Sequence, residues 1–144
     1  MGNVSIVYWS GTGNTEAMAA AMAEGAKDAG AEVELLTVDK AEAAAISEAK
    51  AFALGCPAMG AEELEEGEME PFMAELDSQI AGKTIALFGS YGWGGGEWMR
   101  DWESRVVSDG AAVLSGEGII ADNAPDDDVL AECRAAGAKL AALV

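Results

Sequence analysis

Residues 4–15 read VSIVYWSGTGNT, and they decide how the rest of the chain folds. The β-branched and aromatic run from Val4 to Tyr8 predicts a buried strand, and the Ala- and Met-rich, proline-free residues 16–29 predict a helix. Between them, residues 10–15 are small, uncharged and rich in hydroxyls and glycine. A loop of this kind at a helix N-terminus offers an anion its backbone N–H groups, the helix dipole and hydroxyl donors. We predict a phosphate-binding loop. The alternative is a ligand-free turn capped by Ser10 or Thr12.

The composition of this loop argues against two common nucleotide sites. A Walker A loop needs a lysine, and no Lys or Arg lies between Met1 and Ala26. A dinucleotide-binding Rossmann loop needs a third glycine where Glu16 stands. An uncharged loop suits one terminal phosphate that is held by hydrogen bonds alone.

The bulk properties narrow the class of protein. The 144 residues fit one domain, residues 1–144, and 51% of them are hydrophobic, which argues against disorder. There are 26 acidic and 8 basic residues and no His, so the net charge is −18. This charge disfavours nucleic acid and anionic membranes and favours basic partner proteins. Cys56 and Cys133 lie far apart, which predicts no metal site and no disulfide and fits the cytoplasm. No apolar run is long enough for a membrane span.

The alternation of strands and helices predicts an α/β fold with three layers. We expect a five-stranded parallel sheet of order 2-1-3-4-5 with helices on both faces. In that order the loops at 10–15, 56–63 and 89–97 meet at the carboxyl edge, where ligands bind in such sheets. The remaining strands are predicted at 32–38, 51–55, 84–88 and 112–120 (bent at Gly116), and the remaining helices at 41–49, 70–79, 97–109 and after Pro125.

The 89–97 loop points to a flat ligand. Residues 89–96 read GSYGWGGG, in which five glycines surround Tyr91 and Trp93. Glycine lets a backbone approach a ring closely, and an exposed Trp offers a face for stacking. The alternative is a flexible loop with Trp93 folded onto the core. Trp98 and Trp102, in contrast, have helical spacing and are expected in the core.

The 56–63 loop could cover the other face of the same ring. Met59 is adaptable enough to pack on it, Gly60 suggests a special turn, and Glu62 could accept a hydrogen bond from a ring N–H. The alternative makes Met59 core filler and Glu62 part of a solvated acidic segment. Taken together, the phosphate loop, the stacking Trp and the glycine-rich rim describe a site for a flat mononucleotide, and flavin mononucleotide (FMN) fits best.

These motifs resemble the flavodoxins, specifically the short-chain type of anaerobic bacteria. The resemblance covers essentially the whole chain and lies in YWSGTGNTE at 8–16, LGCPAMG at 54–60, EPF at 70–72 and LFGSYGWGGGEWM at 87–99. It implies FMN bound non-covalently, with the phosphate on residues 10–15. It also implies that Met59 and Trp93 flank the ring and that Glu62 contacts its N3. The implied cofactor-binding residues are Ser10, Gly11, Thr12, Gly13, Asn14, Thr15, Pro57, Ala58, Met59, Gly60, Ala61, Glu62, Ser90, Tyr91, Gly92, Trp93, Gly94 and Asn123.

The resemblance implies an electron-transfer protein rather than an enzyme, with no catalytic and no metal-binding residue. Flavodoxins shuttle one electron at a time, between semiquinone and hydroquinone, from one low-potential redox enzyme to another. The expected partners are reductases and low-potential oxidoreductases with basic docking surfaces, and the chain is expected to be a monomer. We expect Glu62, Glu63, Glu65 and Glu66 to rim the site and orient such partners.

Two further expectations concern the mechanism. A reduced, anionic flavin beside a phosphate and a −18 protein without nearby cations is disfavoured, so the carrier should be strongly reducing. In the family the peptide after the glycine at position 60 turns over on reduction. If Ala61 must then take positive φ, the semiquinone should be less stabilised than with glycine there.

Other functions on a similar fold fit less well. An FMN-dependent quinone or nitro-group reductase is the alternative, but the chain has no extra segment for a substrate pocket and no His as proton donor. A signalling receiver domain needs acidic residues where Trp9-Ser10 and Gly55-Cys56 stand.

Overall fold

The computed structural model describes residues 2–144, which form a parallel β-sheet between two layers of helices. Each strand is short and rich in apolar residues, because both faces of the sheet are covered. The strands are β1 (Asn3–Tyr8), β2 (Glu32–Thr37), β3 (Ala51–Gly55), β4 (Thr84–Tyr91), β5 (Ala112–Val113) and β6 (Ile119–Asp122).

The predicted strand order is confirmed. The sheet runs β2-β1-β3-β4-β5, and β6 also pairs with β4. The fifth position is broken rather than bent: β5 pairs with the start of β4 and β6 with its end. Ser115 (φ 63°) and Gly116 (φ 86°) are both left-handed, a conformation that extended strands cannot hold, so residues 114–118 leave the sheet.

Helices cover the two faces unequally. They are α1 (Asn14–Asp28), α2 (Ala43–Ile46), α3 (Met69–Leu76), α4 (Glu97–Ser108) and α5 (Asp127–Leu143). One core cluster lies between the sheet and α1 with α5, and the other lies between the sheet and α2, α3 and α4. Within residues 2–144, no helix is both long enough and apolar enough to cross a bilayer.

Two helices are shorter than predicted. The helix expected at 41–49 spans only Ala43–Ile46. The Ser47 hydroxyl follows it and lies 3.2 Å from the Ala44 carbonyl and 3.0 Å from Gln79 Oε1. The helix expected to reach Gln79 ends at Leu76.

The first and last helices pack backbone to backbone. A Cβ on Gly25 would overlap the Arg134 carbonyl, and one on Gly137 would overlap the Met22 carbonyl. Glycine is needed at both positions because the two helices approach so closely. This contact fixes the C-terminal half of α1 relative to α5.

The predicted core tryptophans are confirmed. Trp98 and Trp102 are each 1% exposed, on the face of α4 that packs on the sheet. Trp98 Nε1 donates to the Cys56 carbonyl at 3.0 Å, which links α4 to the end of β3.

Candidate functional site

A cleft of about 230 Å³ opens at the carboxyl edge of the sheet, where the three predicted loops meet. Segments after β1, β3, β4 and β6 all contribute to it, as the strand order requires. Among residues 2–144, the side chains that line it are all uncharged: the lining residues are Trp9, Gly11, Thr12, Asn14, Pro57, Ala58, Met59, Ser90, Tyr91, Gly92, Trp93 and Asn123.

The 10–15 loop is built around the Ser10 hydroxyl. Ser10 Oγ accepts from Gly13 N–H at 3.1 Å and from Glu16 N–H at 3.3 Å, which folds the loop over the start of α1. Gly13, at φ 97°, is the residue before the helix and provides no side-chain cap. Within residues 2–144, the N–H groups of Thr12, Asn14 and Thr15 have no hydrogen-bond partner. These donors point to an anion site at the helix N-terminus.

A buried pair of hydroxyls ties this loop to β4. Thr15 Oγ1 lies 3.4 Å from Ser90 Oγ and also accepts from Ser90 N–H at 3.4 Å. Thr15 and Ser90 are 1% and 5% exposed. The pair fixes the distance between the anion end of the cleft and its far wall.

Aromatic and thioether side chains form the other end of the cleft. Trp93 is 51% exposed, so its ring is free to stack, and it is not folded onto the core. Tyr91 packs instead on Trp98, with ring centroids 5.5 Å apart and planes tilted by 46°. Met59 lines the cleft from the 56–63 loop.

Trp9, which the sequence analysis did not assign to the site, lies in the wall of the cleft. Its Nε1 donates to Glu68 Oε1 at 3.2 Å, and its ring lies against Gly11, where a Cβ would come within 3.2 Å. Trp9 is the last residue before the 10–15 loop, and this position in the sequence was the available indication that it would line the cleft.

The 56–63 loop is anchored at both ends by backbone hydrogen bonds. Ala58 N–H donates to the Ser90 carbonyl at 3.0 Å, and Met59 and Glu63 exchange two bonds of 2.9 and 2.8 Å. The positive φ angles in this turn belong to Gly60 (51°) and Glu62 (57°), and Ala61 has none. Ala61 therefore carries no backbone strain in this conformation, and its effect on a rearranged turn stays a prediction.

Glu62 does not line the cleft. Its carboxylate Oε1 accepts instead from Gly96 N–H at 3.1 Å and from Glu97 N–H at 3.0 Å, at the start of α4. Three other residues named from the resemblance, Ser10, Gly13 and Thr15, lie outside the lining and form the hydrogen bonds that hold the 10–15 loop. Gly60, Ala61 and Gly94 likewise lie outside the lining.

Glu65, which was expected to orient partners from the rim, also has a role within its own chain, and its role towards partners stays a prediction. Its half-buried carboxylate accepts from Gly67 N–H (2.7 Å), Glu68 N–H (2.7 Å) and Met69 N–H (3.0 Å), which caps α3. Burial alone would raise the pKa of Glu65, but these three donors outweigh it and lower the pKa. Its oxygens are occupied by its own chain.

The Cys56 side chain also contacts the backbone at Glu65. Its Sγ accepts from Glu65 N–H at 3.4 Å, and the side chain is fully buried at the end of β3. Burial raises the pKa of this thiol to about 12. The thiol is therefore a structural group and not a nucleophile.

Comparison with known proteins identifies the family. The flavodoxin family model matches residues 6–137. The chain is 47% identical over 135 residues to the flavodoxin of Megasphaera elsdenii, covering 92% of this chain and 98% of that protein. It is also 47% identical over 124 residues to the flavodoxin of Clostridium beijerinckii, covering 86% and 89%. The chain belongs to the flavodoxin family.

The fold comparison agrees with this assignment to the flavodoxins. The solution structure of the two-electron reduced Megasphaera elsdenii flavodoxin superimposes with a TM-score of 0.86 at 46% identity, covering 94% of this chain and 98% of that one. As a flavodoxin, the chain binds FMN and carries electrons, and it is not an enzyme.

The cleft of this flavodoxin fits FMN at both ends. The unpartnered N–H groups of residues 12, 14 and 15 suit the terminal phosphate, which needs donors where no cation is present. Between Met59 and the exposed Trp93, the apolar end suits a flat ring.

Proposed function

We propose that this flavodoxin is a low-potential one-electron carrier, in which residues 1–144 form a single FMN-binding domain. Bound FMN supplies the chemistry, because it accepts and returns electrons one at a time. The observation that carries the proposal is that the described lining residues are all uncharged, in a cleft whose one end has N–H groups without a partner in the described part of the chain.

The surroundings of the cleft support a low potential. Adding an electron adds negative charge, and the lining offers no Lys or Arg to compensate it. The chain as a whole carries −18, and Arg105, a cation of α4, is already paired with Glu70 at 2.8 Å and Asp77 at 2.8 Å. Both features disfavour reduction of a bound group.

The residues named from the resemblance are proposed to act in two ways. Gly11, Thr12, Asn14 and the backbone N–H of Thr15 bind the phosphate directly, while Ser10, Gly13 and the Thr15 hydroxyl hold the loop in shape. At the ring end we propose direct contact by the following lining residues: Pro57, Ala58, Met59, Ser90, Tyr91, Gly92, Trp93 and Asn123. Gly60, Ala61, Glu62 and Gly94 are proposed to shape the loops around the ring.

We propose that the redox partners are reductases and low-potential oxidoreductases with basic docking surfaces. Support comes from the charge of −18 and from Glu63 and Glu66, which are exposed beside Met59 at the mouth of the cleft. We also propose a monomer that works in the cytoplasm. The two cysteines support that compartment, because both are buried free thiols. No feature of the cleft favours the quinone or nitro-group reductase.

Titration of the FMN-free chain with FMN tests the proposal. We expect one FMN per chain, two separate one-electron steps on anaerobic reduction, and no oxidation of NAD(P)H by the chain alone. Replacing both Ser10 and Thr12 by Ala should weaken FMN binding about tenfold or more, because the loop loses its internal acceptor and a hydroxyl of the lining. Unchanged affinity would rule out the anchor assigned to this loop. Direct turnover of NAD(P)H would favour a reductase.

A further inference from the structure

Glu62 joins two loops that are far apart in sequence. The first backbone N–H groups of any helix lack partners within the helix. At α4 the preceding residue, Gly96 (φ 88°), has no side chain to supply one. Glu62, which lies 34 residues before Gly96 in the sequence, provides the missing acceptor: its Oε1 is 3.1 Å from Gly96 N and 3.0 Å from Glu97 N. A carboxylate also interacts favourably with the positive end of a helix.

The surrounding backbone is shaped to hold this carboxylate. A Cβ on Gly94 would lie 2.6 Å from both oxygens of Glu62, so glycine at this position leaves room for the carboxylate where it lies. Glu62 itself has a φ of 57°, a left-handed conformation that is costly for a residue with a side chain. Such a conformation persists where the surrounding contacts outweigh its cost.

We propose that Glu62 is a positioning residue, whose carboxylate caps α4 and thereby holds residues 92–96, with Trp93, against the wall of the cleft. The inference rests on the proposed function, and it gives Glu62 a second role, which is to hold the backbone around the cofactor site. The cap uses Oε1, and within residues 2–144 Oε2 accepts no hydrogen bond. A contact from Oε2 to the ring, as the resemblance implies, is therefore compatible with the cap.

The neighbouring acid provides a matched control. Glu63 carries the same charge one residue later, is exposed, and its backbone pairs with Met59. Within the described part of the chain its side chain accepts no hydrogen bond. Glu63→Gln therefore removes one negative charge from the same turn and leaves the cap of α4 intact.

Amide hydrogen exchange of the FMN-free chain tests the cap without involving the cofactor. In Glu62→Ala, exchange at Gly96 and Glu97 should become about tenfold faster, because a lost N-cap is worth about that factor. Glu62→Gln keeps an acceptor oxygen and should fall between Glu62→Ala and the wild type. Glu63→Gln should match the wild type. Equal exchange at Gly96 and Glu97 in all four proteins would overturn the proposal.

A double substitution and FMN titration complete the test. Gly94→Ala should also speed exchange at Gly96 and Glu97, because its Cβ would displace the Glu62 carboxylate. In the Glu62→Ala background the same substitution should have a smaller effect, because that carboxylate is already absent. Strictly additive effects would contradict the shared contact. FMN affinity should fall about five- to tenfold in Glu62→Ala and little in Glu63→Gln. A wild-type chain that binds no FMN would refute the proposed function. Amide hydrogen exchange at Gly96 and Glu97 tests the cap independently of that outcome.

Discussion

Replacing Glu65 by Gln should destabilise the chain by about 2 kcal/mol, because it disturbs the cap of α3. The carboxylate accepts from three consecutive N–H groups, at 2.7, 2.7 and 3.0 Å. A glutamine keeps one oxygen for two of them but turns an NH₂ group towards the third, and it removes the charge. A charge-assisted hydrogen bond contributes about 1.5–3 kcal/mol, and partial exposure reduces the total.

Urea unfolding of the FMN-free chain, followed by circular dichroism, measures this loss. Removing FMN matters, because binding to the folded state alone adds stability of its own. A loss of 2 kcal/mol corresponds to a melting temperature lower by about 4–8 °C for a chain of this size. Glu66→Gln is the control: it removes the same charge one residue later, from an exposed side chain.

The pH dependence separates the cap from other causes. The folded pKa of Glu65 is lowered, so its contribution is present above the unfolded pKa of about 4.3 and is lost as pH falls through the folded value. The difference in free energy of unfolding between wild type and Glu65→Gln should therefore be constant from pH 8 to about 5 and become smaller in more acid solution. A gap equal to that of Glu66→Gln at pH 7, or one that persists unchanged at pH 3, would refute the reasoning.

Two other substitutions test features away from the cleft. Burial, followed by the neighbouring Asp77 carboxylate, raises the folded pKa of Asp109 to about 6, and its Oδ2 is buried without a partner within residues 2–144. The stability that Asp109 contributes is thus present below its unfolded pKa and lost as pH rises through about 6. Urea unfolding should accordingly find Asp109→Asn more stable than wild type at pH 8, by about 1 kcal/mol after allowance for solvent screening, with little gain at about pH 3, below the unfolded pKa of about 3.9. An equal gain at both pH values would contradict the shift. Gly137→Ala should lower stability by about 2 kcal/mol or more in the same assay, although this exchange inside a helix normally adds up to about 1 kcal/mol, because its Cβ would overlap the Met22 carbonyl. Gly95→Ala, whose Cβ would meet nothing within 4 Å, should cost little, and equal effects at the two sites would argue against the close helix contact.

The sequence was sufficient for the fold because its signals are local and agree with one another. The apolar runs predicted as strands are β1 (Asn3–Tyr8) and β3 (Ala51–Gly55), and the proline-free run after the 10–15 loop is the first helix. The break in the fifth strand was missed, because it depends on a left-handed Ser115, which no composition rule announces.

The cleft was predictable where residue type decides the role, and not where side-chain direction does. The hydroxyl loop and the exposed Trp93 could be found from their chemistry alone. The acidic run was different: six of the nine residues from 62 to 70 are Glu, and in the sequence they look alike. Only the folded backbone determines that Glu62 and Glu65 meet unpaired N–H groups while Glu63 and Glu66 face solvent.

The two buried thiols have a practical consequence for locating the partner surface. Burial raises the pKa of both Cys56 and Cys133 to about 12, so maleimides and other thiol reagents should leave the folded chain unmodified. A single cysteine introduced at the surface, for example by Glu66→Cys, would then be the one reactive thiol. Spin labels, fluorophores and photo-crosslinkers could be placed one position at a time around the cleft, without first removing the native cysteines.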